Sequence, residues 1–138
     1  MAFSEAELKY LQEQHLGRLA TVQADGTLQV SPVGFSYNPN GGTIDIGGYT
    51  MSSSQKYRNV VANGRVAFVV DDISSFDPWR VRCLEIRGVA EGVPGPNADA
   101  GDPDGAIIRI SPRRIISFGV EEPDQEPHEL TPNNRDVA

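Results

Sequence analysis

The pattern of apolar and polar residues changes near the N-terminus from helical spacing to strand alternation. Ser4 and Glu7 form a capping-box pattern and leucines follow at helical spacing, which predicts a helix over about 4–14. From Gly17 onward apolar residues alternate with polar ones, and a turn at Asp25-Gly26 separates two such stretches. This part of the chain is therefore predicted to form an antiparallel hairpin.

Alternating segments recur along the rest of the chain, which indicates a mostly β protein. They are TIDIGGY, RVAFVVDD, WRVRCLEIRGVAEG, AIIRI and RRIISFGV, with a second short helix, SSQKYRNVVANG, after the first of them. Six or seven strands around one core, with two short helices, favour a small antiparallel barrel or sandwich over a parallel sheet. A Rossmann domain is excluded because no GxGxxG follows a strand and opens a helix.

In two predicted strands the apolar parity shifts part-way along. In TLQVSPVGFSYN, the apolar residues before Ser31-Pro32 have one parity and those after it have the other. A bulge would restore the register, and because proline donates no ladder bond, the backbone at Pro32 is expected at a bend, an edge or a ligand. WRVRCLEI shifts in the same way between Cys83 and Leu84. The two shifts are expected either to frame one cleft or to form ordinary barrel corners.

Composition predicts two segments outside the regular sheet. The stretch Gly92–Gly105 contains four glycines and three prolines and predicts a mobile surface loop. Residues 121–138 contain six acidic residues, one arginine and almost no large apolar side chains, so they are expected to be disordered or loosely docked. The predicted organisation is a cofactor-binding domain over 1–120 and an acidic tail over 121–138.

Charge and composition exclude several function classes. The chain has 138 residues, enough for one domain, and a formal net charge of −7, whereas a nucleic-acid binder normally presents a basic face. No apolar run approaches a membrane span and the first residues lack a secretory signal, so a cytoplasmic protein without membrane contact is expected. Cys83, His15 and His128 cannot assemble a Cys/His zinc site and leave a Ser-His-Asp triad almost no base. We therefore predict no metal and assign no catalytic residue.

The segment GGYTMSSSQKYR has the features of an anion site. Gly47-Gly48 end a predicted strand, Ser52–Ser54 offer helix caps, and Lys56 and Arg58 lie in the first turns of the helix. Cations at a helix start oppose the helix dipole, so a bound anion such as phosphate would compensate, and glycine lets a planar ligand approach closely. The alternative is that the serines only cap the helix, the cations are solvated and the glycines form a turn.

Trp79 and three arginines are weaker candidates. Trp79 follows Asp77-Pro78 at the mouth of a predicted strand, where it either packs or stacks on a ring. Arg80, Arg82 and Arg87 alternate with apolar residues, so by default they form a solvated outer face.

The order of five segments resembles the pyridoxamine 5'-phosphate oxidase-like split β-barrels, and more closely their deazaflavin-dependent branch, which uses coenzyme F420. The segments span about residues 4–120 and are LATVQADGTLQVSPVGFSYNP, TIDIGGYT, SSSQKYRNVVANGRVAFVVDD, PWRVRCLEIRGVAEG and IIRISPRRIISFGV. The resemblance implies an FMN-binding split barrel of Greek-key type with six to seven antiparallel strands and two short helices. It also implies a homodimer with the cofactor groove at the subunit interface.

The same resemblance assigns cofactor-binding residues in three places. Ser52–Lys56 matches the segment that holds the cofactor phosphate, with Lys56 at the basic position, and Ser31–Gly34 matches the strand whose backbone lines the flavin-like ring. Trp79 and Arg82 fall where the branch places groups that flank the ring or bind the tail. The full set is Ser31, Pro32, Val33, Gly34, Gly48, Thr50, Ser52, Ser53, Ser54, Gln55, Lys56, Arg58, Trp79 and Arg82.

The implied activity is hydride transfer from C5 of reduced coenzyme F420 to a small conjugated organic acceptor. Because the cofactor carries the chemistry, the protein binds and orients, and Arg58, Arg80 or Arg82 would meet the anionic oligoglutamate tail. The alternatives are an FMN-dependent oxidoreductase on the same barrel and a non-catalytic module that stores, carries or senses the coenzyme. The chain lacks the C-terminal substrate-binding segment of true pyridoxamine phosphate oxidases, so vitamin B6 oxidation is not expected.

Overall fold

A computed structural model describes residues 2–96, 98 and 105–137, and most of them belong to one antiparallel sheet. The elements are α1 (Glu5–Glu13), β1 (Leu16–Val22), β2 (Leu28–Gly34), β3 (Ser36–Asn38), β4 (Thr43–Ile46), α2 (Gln55–Asn63), β5 (Arg65–Phe76), β6 (Trp79–Val93), β7 (Ile107–Phe118) and β8 (Asn133–Asp136). Short 3-10 turns lie at Met51–Ser53 and Pro127–Glu129. No helix in the described ranges is long and apolar enough to cross a membrane.

The sheet curls into a split barrel, as predicted. Its strand order is β2-β1-β5-β6-β7-β4-β3, and β8 is added beside β7. The end strands β2 and β3 are separated in sequence by Phe35 alone, so the two ends of the sheet must come together. No ladder joins them within the described sheet, and the barrel is therefore split between them.

The predicted N-terminal helix and first hairpin are confirmed in detail. Ser4 caps α1, and it forms a capping box with Glu7. The β1–β2 hairpin turns at Gly26, whose φ of 87° is costly for any residue with a Cβ. The core inside the barrel is apolar and its largest fully buried members are Leu19, Ile44, Ile46, Phe68, Val70, Leu84, Ile86, Ile108, Ile110 and Ile115.

The prediction of a bulge at Ser31-Pro32 is wrong. Strand β2 pairs with β1 without interruption from Gly34 to Leu28. Instead of turning inward, Leu28 and Val30 lie on the outer face and are 76% and 69% exposed. Pro32 lies on an edge strand, one of the three settings expected for it, where a missing ladder donor costs little.

The prediction of a second register shift, between Cys83 and Leu84, is also wrong. The β5–β6 register is continuous there, and its irregularity lies farther along, between Ile73 and Ser75. Leu84 is buried, whereas Cys83 has the same parity as the exposed Trp79 on the outer face. Both stretches therefore contribute to an apolar outer surface and do not frame one cleft. The alternation of apolar residues wrongly predicted these two shifts, because apolar residues occur on both faces of this sheet.

Of the two segments predicted from composition, the acidic one is docked on the rest of the fold and the loop is described only in part. Residues Asn133–Asp136 form β8, and Arg135 in this strand pairs with a buried carboxylate of α1, so the acidic segment is not disordered where the structure describes it. Ion pairs with the rest of the fold offset the conformational entropy that the segment loses on ordering, although its few large apolar side chains could not do so by burial. The division after residue 120 stays a prediction. Half of the mobile loop predicted at 92–105, namely residues 97 and 99–104, lies outside the described residues, and its first two residues belong to β6.

Candidate functional site

The connection from β4 to α2 forms one side of the candidate site. Gly47-Gly48 leave the strand on an open surface, since a Cβ at Gly47 would meet no atom within 4 Å and one at Gly48 would meet only the Met51 side chain, at 3.5 Å. Tyr49 is fully exposed. Space for a bulky ligand therefore exists beside this backbone.

Thr50 holds the bend in a strained conformation. Its φ and ψ are 48° and 39°, and among the described residues no other non-glycine residue has a positive φ. A β-branched residue in the left-handed region costs about 1 to 3 kcal/mol, and such strain is typical of ligand sites. The strained bend leads directly into the turn that carries Ser52 to Ser54.

The serines organise the start of α2. Ser54 is its N-cap and accepts a hydrogen bond from the Tyr57 N–H at 3.3 Å, while the Ser54 hydroxyl donates to the Met51 carbonyl at 2.6 Å. The Ser53 hydroxyl donates to the Thr50 carbonyl at 2.9 Å. The capping interpretation is thus correct for Ser54, but it does not account for the two cations that follow.

Lys56 and Arg58 have different surroundings. The Arg58 guanidinium donates to the Ser53 carbonyl and, at 2.8 Å, to Gln55 Oε1, so it folds back onto its own loop. Lys56 is half-buried in the first turn, and none of the ion pairs among the described residues includes it. A cation at a helix N-terminus without a carboxylate partner raises the free energy of the site unless an anion binds.

The edge strand β2 forms the other side. Its inner face carries Ser31, whose hydroxyl oxygen is buried and has no hydrogen-bond partner among the described residues. A buried hydroxyl without a partner costs about 1 to 3 kcal/mol, so an unpaired one points to a missing ligand or water. Gly34 ends the strand on an open side, where the only atom within 4 Å of a Cβ would be the His15 carbonyl oxygen, at 3.9 Å.

A buried amide network joins α2 to β2. Asn59 donates to Thr21 Oγ1 at 3.0 Å and to Gln29 Oε1 at 3.1 Å, and it accepts from Gln55 at 2.8 Å. The network fixes the helix that carries Lys56 against the strand that carries Ser31. Sequence reasoning missed Asn59 and Gln29, although a polar residue on the inward face of an apolar helix was an available signal.

Comparison with known proteins places this arrangement in a family. The family described as pyridoxamine 5'-phosphate oxidase matches residues 3–119. The chain belongs to the pyridoxamine 5'-phosphate oxidase family.

The chain is similar to a protein named as a reductase and to solved structures. A Streptomyces rimosus protein named 5a,11a-dehydrotetracycline/5a,11a-dehydrooxytetracycline reductase is 45% identical over 122 residues, which are 88% of this chain and 86% of the relative. A conserved hypothetical protein of Mycobacterium tuberculosis is similar in structure, with a TM-score of 0.66 and 25% identity over 83% of this chain and 84% of its own. The FAD binding protein of Mycobacterium smegmatis shares the fold, with a TM-score of 0.61 and 22% identity over 83% of this chain and 93% of its own.

In this pyridoxamine 5'-phosphate oxidase family member, the contacts that the structure describes for Trp79 and Arg82 are not with the residues around Lys56. Arg82 donates to Asp72 at 2.9 Å and lies 4.8 Å from the centre of the Tyr10 ring. The hydrogen bond from Arg82 outweighs burial and holds the pKa of Asp72 below its usual range. The roles predicted for Trp79 and Arg82 at the ring or the tail stay predictions.

Trp79 contributes to a different surface. It packs edge-on against Phe76, with ring centres 6.0 Å apart, at the end of an outer-face cleft of about 680 Å³. Arg80 pairs with Asp124 and Glu126 in the C-terminal segment, so it is not free for an anionic tail in this structure. In the described ranges no group of three or more His, Cys, Asp or Glu side chains is arranged to hold a metal ion.

The groups at the start of α2 and on β2 are of the kinds that a phosphate and a planar ring would use. Lys56 and the capped start of α2 offer positive charge and N–H donors for a phosphate. The unpaired Ser31 hydroxyl, the free edge of β2 and the open space at Gly48 suit a planar heterocycle. Such a ligand would satisfy the groups that the protein alone leaves without partners.

Proposed function

We propose that the protein is a reductase that binds coenzyme F420 between α2 and β2. The observation that carries the proposal is Lys56, a half-buried cation in the first turn of a serine-capped helix, which has no carboxylate partner among the described residues. The dehydrotetracycline reductase that is 45% identical supports a reductase over a B6 oxidase. FMN is the alternative cofactor, because its phosphate and ring would use the same groups.

Bound coenzyme F420 would supply hydride, and the residues of the chain would position it. Lys56 and the N–H groups at the start of α2 bind the phosphate, whose charge is stabilised by the helix dipole. Ser31 and the backbone edge of β2 bind polar atoms of the ring, while Asn59 and Gln29 keep α2 and β2 at a fixed separation. We assign no acid or base among these side chains.

The acceptor follows from the relative. That protein is named for reducing 5a,11a-dehydrotetracycline and its oxytetracycline counterpart. We propose that this chain reduces a carbon–carbon double bond conjugated to a carbonyl in an acceptor of similar polycyclic kind. Such an acceptor is a more specific form of the small conjugated acceptor that the resemblance implied.

The decisive experiment is a parallel titration with coenzyme F420 and FMN. Saturable quenching of F420 fluorescence, with FMN binding at least about tenfold weaker, is the expected result. Oxidation of reduced F420 on addition of 5a,11a-dehydrotetracycline is expected to follow. Binding without turnover would favour the coenzyme carrier, and preferred binding of FMN would overturn the choice of cofactor.

We propose that two copies associate through the outer face of the sheet. Leu28 and Val30 are exposed there, and the register places them on the same face as Trp79 and Val89, which are also exposed. Several large apolar side chains exposed on one face are typical of an interface. A partner on this face would cover the apolar surface and could bring its Trp79 and Arg82 to the cofactor.

The interface proposal predicts a change of mass in solution. Val30→Lys is expected to shift the protein from dimer to monomer, because burying an unpaired cation costs several kcal/mol. Val61→Lys is the matched control, since Val61 is 64% exposed on α2, away from the sheet face. Light scattering measures both, and an unchanged mass for Val30→Lys would contradict the proposed interface.

A further inference from the structure

A second cleft lies at the opposite end of the barrel from α2. It encloses about 820 Å³ between α1 and the β2–β3 connection, within the rough range of 300 to 1,000 Å³ of small-molecule sites. Its walls are mainly apolar and aromatic, from Leu8 and Leu11 of α1 and from Phe35, Tyr37 and Pro39. None of the groups assigned to phosphate binding lines it.

The cleft begins where the proposed ring slot ends. Gly34 is the last residue of β2, and Phe35, which follows it directly, is in the cleft wall. Gly34 pairs with Leu16 in the β1–β2 register, and His15, one residue before Leu16, also lines the cleft. A molecule in the cleft would therefore lie next to a heterocycle held along Ser31–Gly34.

The aromatic walls are held in place from behind. Phe35 packs edge-on against Phe68 of the core, with ring centres 5.2 Å apart, and Tyr37 packs edge-on against Phe3 at 5.8 Å. Rigid aromatic surfaces favour stacking with a flat ligand and lose little conformational entropy on binding. The walls are thus suited to a planar polycycle.

The charge of the walls restricts the ligand further. The polar residues of the lining are Gln12, Gln14, His15 and Ser36, and no Asp, Glu, Lys or Arg is among the lining residues. A carboxylate or phosphate would lose its hydration here without gaining a charged partner. Amides and a hydroxyl instead offer hydrogen bonds to carbonyl and hydroxyl groups at the edge of a neutral ring system.

We propose that this cleft is the acceptor site and that it takes a conjugated polycycle without net charge, phosphate or carboxylate. The catalytic role of the cleft rests on the proposed function, whereas the binding of a polycycle in the cleft does not. Phosphate recognition at α2 and acceptor recognition at α1 would then occupy the two ends of one groove, with the reacting atoms near Gly34.

Tetracycline, a stable polycycle whose dimethylammonium and enolate charges cancel near neutral pH and which has no phosphate or carboxylate, is the probe for the cleft. Ser36→Trp places a bulky side chain at an exposed strand position in the wall, and Gln12→Trp does so from α1. Lys9→Trp is the control, because Lys9 is exposed on α1 outside the cleft. Both cleft variants are expected to weaken tetracycline binding at least about tenfold, and the control less than about twofold.

Hydrogen exchange on the unmodified protein gives an independent measurement. Tetracycline is expected to slow exchange in α1 and at 35–37, both with and without coenzyme F420. Unchanged affinity in Ser36→Trp and Gln12→Trp, or protection elsewhere only, would overturn the cleft assignment. If tetracycline protects the cleft while F420 fails to bind, the assignment stands and the proposed function fails.

Discussion

Replacing Lys56 by alanine is expected to weaken the binding of coenzyme F420 about 5- to 150-fold, equivalent to about 1 to 3 kcal/mol. The half-buried ammonium has no carboxylate partner among the described residues, so a bound phosphate would be its principal counter-charge. Removing it leaves the N–H groups of α2 as phosphate donors, which is why we expect weaker binding and not complete loss. Fluorescence titration of the purified protein measures the change.

Two variants control for the position of Lys56. Lys56→Arg keeps the charge and is expected to restore most of the affinity, whereas Lys9→Ala removes an exposed cation from α1 and should change little. The folded state should be unaffected, because Lys56 makes no ion pair that the structure describes. Unchanged affinity in Lys56→Ala would remove the basis of the proposed phosphate site.

Replacing Arg135 by methionine is expected to destabilise the folded protein by about 3 to 5 kcal/mol. Arg135 of β8 donates to Glu7 Oε2 at 3.1 Å, and Ser117 donates to the same oxygen at 2.6 Å. The Glu7 side chain is fully buried, so loss of the guanidinium leaves a buried carboxylate without a cation. Urea denaturation measures the free energy of unfolding.

Arg114→Met is the matched control on the neighbouring strand. Arg114 pairs with Asp136 at 2.8 Å, but both side chains are exposed to solvent, so its loss is expected to cost no more than about 1 kcal/mol. Glu7→Gln combined with Arg135→Met is expected to recover part of the loss, because a neutral amide needs no cation. Equal effects of Arg135→Met and Arg114→Met would contradict the role given to the buried pair.

The pair also predicts an acid dependence of stability. Burial raises the pKa of Glu7, but hydrogen bonds from Arg135, Ser117 and the Ser4 N–H outweigh burial, so the pKa lies below its ordinary value of 4.5. A depressed pKa stabilises the fold above pH 4.5, and this contribution is lost as the pH falls from 4.5 through the folded-state pKa. In Arg135→Met the stability is expected to fall less steeply with acid over this range.

Local sequence was sufficient to predict the start of α2 and the first hairpin. A serine cap, a glycine turn and the spacing of Lys56 depend on neighbours within a few residues, so the sequence pattern predicts them directly. The strand spacing predicted a small antiparallel barrel or sandwich, and the family resemblance narrowed this to a split barrel. Trp79 and Arg82 were assigned to the site by resemblance alone, and in the structure Arg82 bonds to Asp72 and Trp79 packs against Phe76.

Local sequence patterns do not predict contacts between distant parts of the chain. Asn59 meets Gln29 only because the barrel packs α2 against β2, and the Ser31 hydroxyl is left unpaired only because of what surrounds it there. The outward direction of Val30 depends on its pairing with β1, since alternation has the same period on either face.

The amino-acid sequence by itself was enough to predict the strands other than β8, the two helices, the caps and the basic helix start, because short-range sterics and hydrogen bonding decide them. Only the tertiary structure decided which apolar face is the core, how the acidic segment docks and where a second cleft opens. Arg135 and Glu7 illustrate the reason, since 128 positions separate two residues whose charges stabilise each other only after the sheet has curled. Such pairings depend on the folded path of the chain and leave no periodic signal along it.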